Sequence, residues 1–514
     1  MNRLNKTKLL SNSIFSGASF FITILIRLIT MPYVFNHLNI NEYGILALIT
    51  NILAYFSFFD LGVGRSIIKF LSEDNQKNDP EEFNKYLSTG IMFYLLVGSL
   101  SAILLWINAS TIVVSFFKIP NEFHKVAVSC LIISGFNFLI VIQNQLLVSI
   151  PEAFNRFDIS KLIQIISNVT SSLITLFIVY LGYGLTEIVY FNVLFGILTL
   201  LVNYEILKRL VPDVKFIFKI DMLILKKMLK FGLIVMLGNI VFTGYTLFDL
   251  TFIGSIIGAS ALAYYSVSST ASRYLHGVVG SILLPIFPLA SEHSVSNKHN
   301  FENIYYKANK FSLILSVYLC LILCLLSKDI LNFWMGATFT KNAQLSFILL
   351  VLSWAIFSFT IVSFQTSEGF GFPKFNLFFA LSCTISSVLL YLYLIPKFGI
   401  DGAAMSRLIS IIIIAPLYVG FVERKIFNAN KIKFWLKTLS IICISSLIIY
   451  FSITYFQNFY KPTIFRLVFS IIFISVSYPV LLFYLGMFDM TEKFLIKKTI
   501  IKLSTIKQIK NENN

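Results

Sequence analysis

The amino-acid sequence predicts an all-α integral membrane protein with about fourteen transmembrane helices. Three observations lead to this fold class. The mean hydropathy is +0.82 and 57% of the residues are hydrophobic, whereas only 13% are charged. A soluble domain carries about 25% charged residues, because its surface must be hydrated. Apolar stretches long enough to cross a bilayer also recur along the whole chain.

The predicted spans follow one another with short hydrophilic connections. They lie near residues 10–35, 43–70, 86–108, 124–148, 159–181, 185–207, 229–254, 260–289, 308–327, 342–366, 374–396, 401–422, 434–456 and 463–487. The basic segment 1–10 precedes an apolar run that is too long for a signal-peptide core and has no small-residue cleavage site. This pattern favours a retained first helix, with both termini of the chain in the cytoplasm.

The distribution of the +17 net charge supports this topology. Lys and Arg cluster in residues 208–230, 424–437 and 493–510, which the topology assigns to the cytoplasm, and the predicted outer loop 36–42 contains neither. One missed span would invert every later loop and remove this bias. No nucleic-acid partner is expected, because the usual platform of aromatic and basic residues is missing from the sequence.

An internal repeat predicts how the helices are grouped. Gly17 begins the segment GASFFITILIRLITMPYVFNHLNINEYGILAL, and Gly238 begins the similar segment GNIVFTGYTLFDLTFIGSIIGASALAYYSVSS. The interval from Gly17 to Tyr43 equals that from Gly238 to Tyr264, so helix, loop and next helix keep one register. Repeats around a site at the membrane midplane are a common transporter plan.

The repeat predicts two six-helix lobes around a central cavity, formed by residues 1–207 and 229–425. A basic cytoplasmic linker, 208–228, joins the lobes, and residues 426–514 add two helices and a basic tail. The sequence has no phosphate-binding loop motif and no metal-ligand spacing, and its cysteines are scattered through apolar segments. We therefore expect no enzymatic activity, no metal and no cofactor.

Several motifs carry a family resemblance. They are NEYGILALI after the first outer loop, YFSFFDLGVGRSIIKFLSE in the second span, RFDISKLIQIISNV after the fourth span, and an aromatic–glycine turn before spans six and twelve. With these motifs the chain resembles, over essentially its whole length, the polysaccharide exporters of the multidrug/oligosaccharidyl-lipid/polysaccharide flippase superfamily.

The resemblance implies a flippase in the bacterial plasma (inner) membrane. Its implied cargo is an undecaprenyl-pyrophosphate-linked oligosaccharide repeat unit, moved from the inner to the outer leaflet for O-antigen (lipopolysaccharide) or capsule assembly. Alternating access between the two lobes is the implied mechanism. The implied partners are this lipid-linked oligosaccharide, the bilayer and other membrane proteins of polysaccharide assembly.

Two arginines within the predicted spans are the first candidates for binding an anionic head. A charged side chain that faces lipid at the bilayer centre costs about 2.5–3.5 kcal/mol, so Arg27 and Arg273 should face a wet cavity. Pro32 could bend the first helix near Arg27, and His276 lies one helical turn after Arg273, on the same face. For Arg27, snorkelling to the outer interface is the alternative.

Further candidates are polar residues in the second and fourth spans. Asp60 and Arg65 flank the segment LGVG, whose glycines allow close helix packing or local unwinding. Gln143 and Asn144, with the adjacent Gln145, interrupt the fourth span. Contacts of these side chains with sugar hydroxyls and hydrogen bonds between helices are both open interpretations.

Asp249, in the seventh span, is a candidate for an ion pair with an Arg across the lobes or for coupling to H⁺ or Na⁺. A purely structural hydrogen bond between helices is the alternative interpretation. The membrane potential is the alternative energy source. Arg407 and Arg466 lie near predicted outer ends of spans, where we expect both to reach the interface.

Three other functions stay open. A lipid II flippase would share the anionic head. A cation-coupled multidrug exporter of the same superfamily would favour acidic over basic residues in its cavity. A membrane-embedded sugar polymerase or ligase would need catalytic groups on a sizeable outer loop, and the largest predicted one, near 328–341, is short.

Overall fold

The computed structural model describes residues 21–77, 80–154, 156–212, 219–296, 298–429, 431–459, 463–490 and 492–494. The described chain is α-helical and contains no strand, and it has the helix lengths of a multi-pass membrane protein. The all-α membrane fold class is therefore confirmed. Residues 1–20 and 495–514 lie outside the described residues, and with them the start of the first span, the N-terminal basic residues, Gly17 of the repeat and most of the basic tail.

The longer helices have the following bounds: α1 Phe21–His37, α2 Ile40–Phe56, α3 Val63–Lys77, α4 Pro80–Thr111, α5 His124–Ala153, α6 Phe157–Tyr180, α7 Leu185–Leu210, α8 Met222–Ile256, α9 Ala259–Leu283, α10 Ile286–Ser296, α11 Lys298–Leu325, α12 Ser327–Met335, α13 Ala337–Ser358, α14 Ile361–Gly369, α15 Pro373–Val422, α16 Ile432–Phe459 and α17 Ile464–Tyr484. Each predicted span overlaps at least one of these helices.

The number of membrane crossings is less definite than the fold class. Within the described residues, ten helices are long and apolar enough to cross a membrane, and counting the bent pair α9–α10 as one span gives eleven. Helix α15 counts once in that number, although at 1.5 Å per residue its 50 residues would extend about 75 Å, more than twice the hydrocarbon thickness. The count of fourteen stays a prediction.

Helix α15 contains a reversal that the sequence predicted as a turn between two spans. Gly399 has a φ of 60° inside the helix. A Cβ atom on Gly402 would lie 2.1 Å from the Leu394 carbonyl oxygen, whereas residues eight apart in a straight helix are about 12 Å apart. The chain therefore folds back at Gly399, between the predicted spans 374–396 and 401–422.

The second predicted span, 43–70, is not one continuous helix. After α2 a 3₁₀ turn covers Ser57–Asp60, and Leu61 and Gly62 both have positive φ before α3 begins. A Cβ atom on Gly62 would lie 2.1 Å from the carbonyl oxygen of Gly232 in α8. The LGVG segment thus provides both the local unwinding and the close helix packing for which glycine is suited.

The repeated segments fold in the same way. Two residues separate α1 from α2, and two residues also separate α8 from α9. At the start of α2, a Cβ atom on Gly44 would lie 1.9 Å from the Ala259 carbonyl oxygen at the start of α9. The two equivalent helix starts are therefore in backbone contact, which a side chain on Gly44 would prevent.

The chain divides into two compact units. One comprises residues 1–274, 341–353 and 372–414, and the other comprises residues 275–340, 354–371 and 415–514. The first contains two buried apolar clusters, around Leu131 and around Leu146, and the second contains one around Ile474. These units cross the boundaries 1–207, 208–228, 229–425 and 426–514, so the division into two lobes, a linker and two added helices stays a prediction.

We expect Gly44→Ala to lower the thermal stability of the detergent-solubilised protein by several degrees, because the new methyl group would overlap the Ala259 carbonyl. Gly420→Ala is the matched control, since Gly420 is also helical but a methyl group added there would meet no other atom within 4 Å. That control should be neutral or stabilising by up to about 1 kcal/mol. Fluorescence-detected size exclusion after heating measures both, and equal effects of the two substitutions would contradict the contact.

Candidate functional site

Arg27 and Arg273 line one cavity, which we call the arginine cavity. It has a volume of about 460 Å³ and lies within the first compact unit, between α1, α2, α6, α8 and α9. Both arginine side chains are exposed in the structure, and both border the same space. A pair of like charges held together in a membrane protein is suited to bind a ligand of the opposite charge.

The rest of the described lining of the arginine cavity is uncharged, and it combines hydroxyl and amide groups with apolar side chains. No carboxylate occurs among the described residues that line it. Asn51 is buried, and its amide donates to the hydroxyl of Thr251 over 3.0 Å. The hydroxyl-bearing residues of the lining are Thr30, Tyr43, Thr50, Ser171, Ser172, Thr175, Thr246, Ser266, Ser269 and Thr270. Hydroxyl groups can donate to anionic oxygens and also accept from sugar hydroxyls.

A second, larger cavity has a volume of about 840 Å³ and also lies within the first unit, between α3, α5, α6 and α7 and the turn before α3. We call it the amide groove, because carboxamides dominate its polar lining. They are Asn137, Asn144, Gln145, Gln164, Asn168, Asn192 and Asn203. Ser171 lines both cavities, so the arginine cavity and the amide groove meet at this residue of α6.

The structure places Asp60 and Asn144 in the amide groove. Asp60 accepts hydrogen bonds from the Tyr94 hydroxyl and from the Gly64 backbone N–H. Asn144 donates to the Gly196 carbonyl over 2.9 Å and accepts from Asn203 over 2.8 Å. These bonds orient both side chains and connect α5 to α7.

Of two further candidates from the sequence, one lines neither cavity, and the other is described only by its backbone. Gln143 is buried outside the lining of both cavities and donates to the Ile91 carbonyl over 3.1 Å, which is the helix–helix interpretation of this residue. Arg65 lies on α3, but its side chain is outside what the structure describes. The substrate roles of Arg27, Arg273, Arg65, Asp60, Gln143 and Asn144 stay predictions.

Asp249 forms a buried ion pair with an arginine, which is one of the alternatives that the sequence left open. Its partner is Arg407 at 2.8 Å, both side chains are 0% exposed, and both belong to the predicted lobe 229–425. Asp249 also accepts from the Tyr265 hydroxyl and the Leu250 backbone N–H, at 2.8 Å and 2.9 Å. The Arg407 guanidinium lies 4.5 Å from the centre of the Tyr245 ring.

The expectation that Arg407 and Arg466 reach the outer interface was wrong for both. In the second compact unit, Arg466 is buried and paired with Asp329 at 2.5 Å. A buried guanidinium is stable in such a position only with a partner, and here each partner is more than 130 residues away in the sequence. Periodicity within one span carries no information about a partner on a distant helix.

His276 does not line the cavity that Arg273 lines. Its ring packs on Trp354 and Phe357, and its Nδ1 lies 3.1 Å from the Ser358 hydroxyl, all within the second unit. Most of the amide groove was likewise not predicted from the sequence. The signal for it was present, because its carboxamides interrupt apolar spans, as Asn137, Gln164, Asn168, Asn192 and Asn203 do.

Comparison with known proteins gives a family match and two curated relatives. The model of the family described as "Polysaccharide biosynthesis protein" matches residues 37–344. A putative O-antigen transporter of Shigella flexneri is 23% identical over 415 residues, covering 80% of this chain and 96% of the relative. An uncharacterized membrane protein of Bacillus subtilis (strain 168), EpsK, is 22% identical over 335 residues, covering 64% and 66%.

Solved structures share the fold. The lipid II flippase MurJ in an inward closed conformation matches with a TM-score of 0.75 and 21% identity, covering 91% of this chain and 97% of that one. An inward-facing multidrug resistance MATE family transporter of the MOP superfamily matches with a TM-score of 0.69 and 13% identity, covering 81% and 98%. At these identities the likeness shows the architecture alone.

We expect Asp249→Asn or Arg407→Met alone to destabilise the protein by about 3–5 kcal/mol, because each leaves one charge buried without its partner. The double variant Asp249→Asn, Arg407→Met should recover much of that loss, since it removes both charges. Glu205→Gln is the control, as its pair with Arg209 is exposed and should contribute less than about 1 kcal/mol. Thermal unfolding in detergent measures all four, and additive losses in the double variant would contradict the pairing.

Proposed function

This chain belongs to the polysaccharide biosynthesis protein family that its sequence motifs resemble, and on that premise we propose that it is a flippase for undecaprenyl-pyrophosphate-linked oligosaccharide repeat units. It moves them from the inner to the outer leaflet of the bacterial plasma membrane for O-antigen or capsular polysaccharide assembly. The similarity to a putative O-antigen transporter supports the cargo class. The similarity in fold to a lipid II flippase supports the type of transport.

The observation that carries the proposal is the arginine cavity. Arg27 and Arg273 face the same space, and no carboxylate among the described lining residues neutralises them. A diphosphate carries about two negative charges and several acceptor oxygens, and guanidinium groups bind such oxygens with two hydrogen bonds at a time. The head of a polyprenyl diphosphate therefore matches this cavity in charge and in hydrogen-bonding capacity.

The remainder of the cargo determines what else the protein must supply. The polyprenyl tail is soluble in the hydrocarbon, so it can stay in lipid while the head crosses about 30 Å. The sugars cannot, because each unsatisfied hydroxyl in hydrocarbon costs several kcal/mol. A hydrated polar passage through the helices is the physical requirement, and alternating access opens it to one leaflet at a time.

Charge also distinguishes the alternatives. A cation-coupled multidrug exporter would place acidic groups where cationic cargo binds, and the arginine cavity has the opposite charge. A lipid II flippase remains the second candidate, because lipid II carries the same diphosphate and the fold resembles that of MurJ. A membrane-embedded sugar polymerase is less favoured, since the curated transporter relative matches over 96% of its own length.

The membrane potential is the energy source that the buried residues favour. Asp249 accepts three hydrogen bonds, one of them from the Arg407 guanidinium, so a coupling cation would have to compete with that arginine for the carboxylate. Moving one negative charge out of a cell with a negative interior releases about 2.3 kcal/mol per 100 mV. A dianionic head therefore gains about twice that amount without H⁺ or Na⁺.

We expect Arg27→Gln and Arg273→Gln each to slow translocation of a polyprenyl-diphosphate disaccharide by roughly 10- to 100-fold in proteoliposomes, because each removes a charged hydrogen-bond donor to the diphosphate. Arg27→Lys and Arg273→Lys should retain part of the activity, since the positive charge stays. The rate is measured as the fraction of labelled lipid that an added sugar-modifying enzyme can reach.

Arg209→Gln is the matched control, because Arg209 is an exposed arginine on α7 and lines neither cavity. Its rate should equal that of the unmodified protein. Equal rates for the Arg27, Arg273 and Arg209 variants would contradict the proposed binding of the diphosphate.

We expect the membrane potential alone to determine how far the labelled lipid accumulates in the positive leaflet. Collapsing a K⁺ diffusion potential should return the distribution to equality, because the head then gains no electrical energy on crossing. A Na⁺ or pH gradient imposed at zero potential should leave the distribution equal. Accumulation driven by either ion gradient alone would contradict this energy source.

A further inference from the structure

The amide groove differs in charge from the arginine cavity that it meets. Among the described residues, its charged lining consists of two carboxylates, Asp60 and Glu152, and one ammonium group, Lys161. Lys161 lies 3.4 Å from a Glu152 carboxylate oxygen and 3.3 Å from the Gln164 amide oxygen. The described cation of the groove is thus already engaged by protein groups.

Uncharged hydrogen-bonding groups are available in the same groove. Gln145 and Asn168 are exposed there, and the side chain of neither makes a hydrogen bond to another described residue. A carboxamide presents donors and acceptors together, as a sugar hydroxyl or acetamido group does. These two side chains can therefore bind neutral sugars without leaving a charge uncompensated.

The position of the groove relative to the arginine cavity determines which part of the cargo it receives. Because Ser171 lines both cavities, the groove is the polar space next to a diphosphate bound by Arg27 and Arg273, and we assign the first sugars of such a ligand to it. The groove volume of about 840 Å³ is typical of a site for one compact ligand, so it suits only the sugars nearest the diphosphate.

Resting on the function proposed above, we infer that the amide groove selects cargo whose sugars nearest the diphosphate are uncharged, and discriminates against a uronic acid at these positions. A uronate carboxylate in the groove would lie near Asp60 and Glu152. The ammonium group of Lys161 would have to leave Glu152 to compensate it. Burying a carboxylate without a counter-ion is strongly unfavourable, whereas a neutral hydroxymethyl group at the same carbon has no such cost.

The test compares two probes in proteoliposomes that contain the full-length protein. Both are polyprenyl-diphosphate disaccharides with an N-acetylhexosamine next to the diphosphate, and the second sugar is either a hexose or the corresponding hexuronic acid. The measurement is made at zero membrane potential, so that the additional charge gains no electrical energy. We expect the neutral probe to equilibrate between leaflets about tenfold faster than the uronate probe.

Two variants test whether the groove causes the ratio of the two rates, that of the neutral probe to that of the uronate probe. Glu152→Gln releases Lys161, and Asn168→Lys adds an ammonium group at an exposed position, so each should bring the two rates closer together. Glu205→Gln also removes a carboxylate from an ion pair, but Glu205 lies outside the groove, and this control should leave the ratio unchanged.

Each outcome either supports or overturns the inference. Equal rates for the two probes, or a faster uronate probe, would overturn it while leaving the proposed function intact, because translocation would still occur. A ratio that neither Glu152→Gln nor Asn168→Lys changes would also overturn it. If neither probe moves in the unmodified protein, the proposed function itself fails, and the selectivity of the groove fails with it.

Discussion

The low dielectric of the bilayer limits where this protein can hold a charge. A guanidinium or carboxylate within a membrane span needs either a partner or contact with water. Arg407 and Asp249 satisfy this requirement through each other, with both side chains fully buried, and Arg466 satisfies it through Asp329. Arg27 and Arg273 satisfy it in the other way, by lining a cavity. This division separates the arginines that are paired inside the protein from the arginines that line a cavity.

The helices that carry these groups are positioned by close backbone contacts. At the start of α2, Gly44 lies against Ala259, and after the 3₁₀ turn Gly62 lies against Gly232. Both contacts connect the first helices of the chain to α8 or α9, which are among the helices that surround the arginine cavity. Glycine is required at these points because any side chain would separate the helices. The same glycine contacts therefore hold together helices that surround the arginine cavity.

The two neighbouring cavities, which share Ser171 in their linings, supply different chemistry. The arginine cavity supplies positive charge, and the amide groove supplies neutral donors and acceptors. A ligand with an anionic end and a neutral polar end fits this arrangement in one orientation only. The fold itself is shared with a lipid II flippase, MurJ, and with a multidrug resistance transporter of the MATE family, so specificity must come from the side chains within it.

The sequence by itself determined the class of the fold and most helix positions. Long apolar runs have one stable conformation in lipid, since a helix satisfies its own backbone hydrogen bonds. The sequence also predicted the turn at Gly399 and the helix break with close packing at the LGVG segment. Glycine marks such places, because a side chain there would clash or strain the backbone. Family motifs and the two arginines within apolar spans indicated an anionic cargo.

Only the tertiary structure decided which polar residues meet. Arg407 was expected at the interface, yet it is buried because Asp249 lies beside it across 158 residues of sequence. Gln143 and Asn144 are neighbours in the chain, but their side chains leave the helix in different directions. Gln143 contacts the neighbouring helix α4, whereas Asn144 lines the amide groove. The partners of a side chain depend on distances between helices, and the hydropathy of a single span contains no information about those distances.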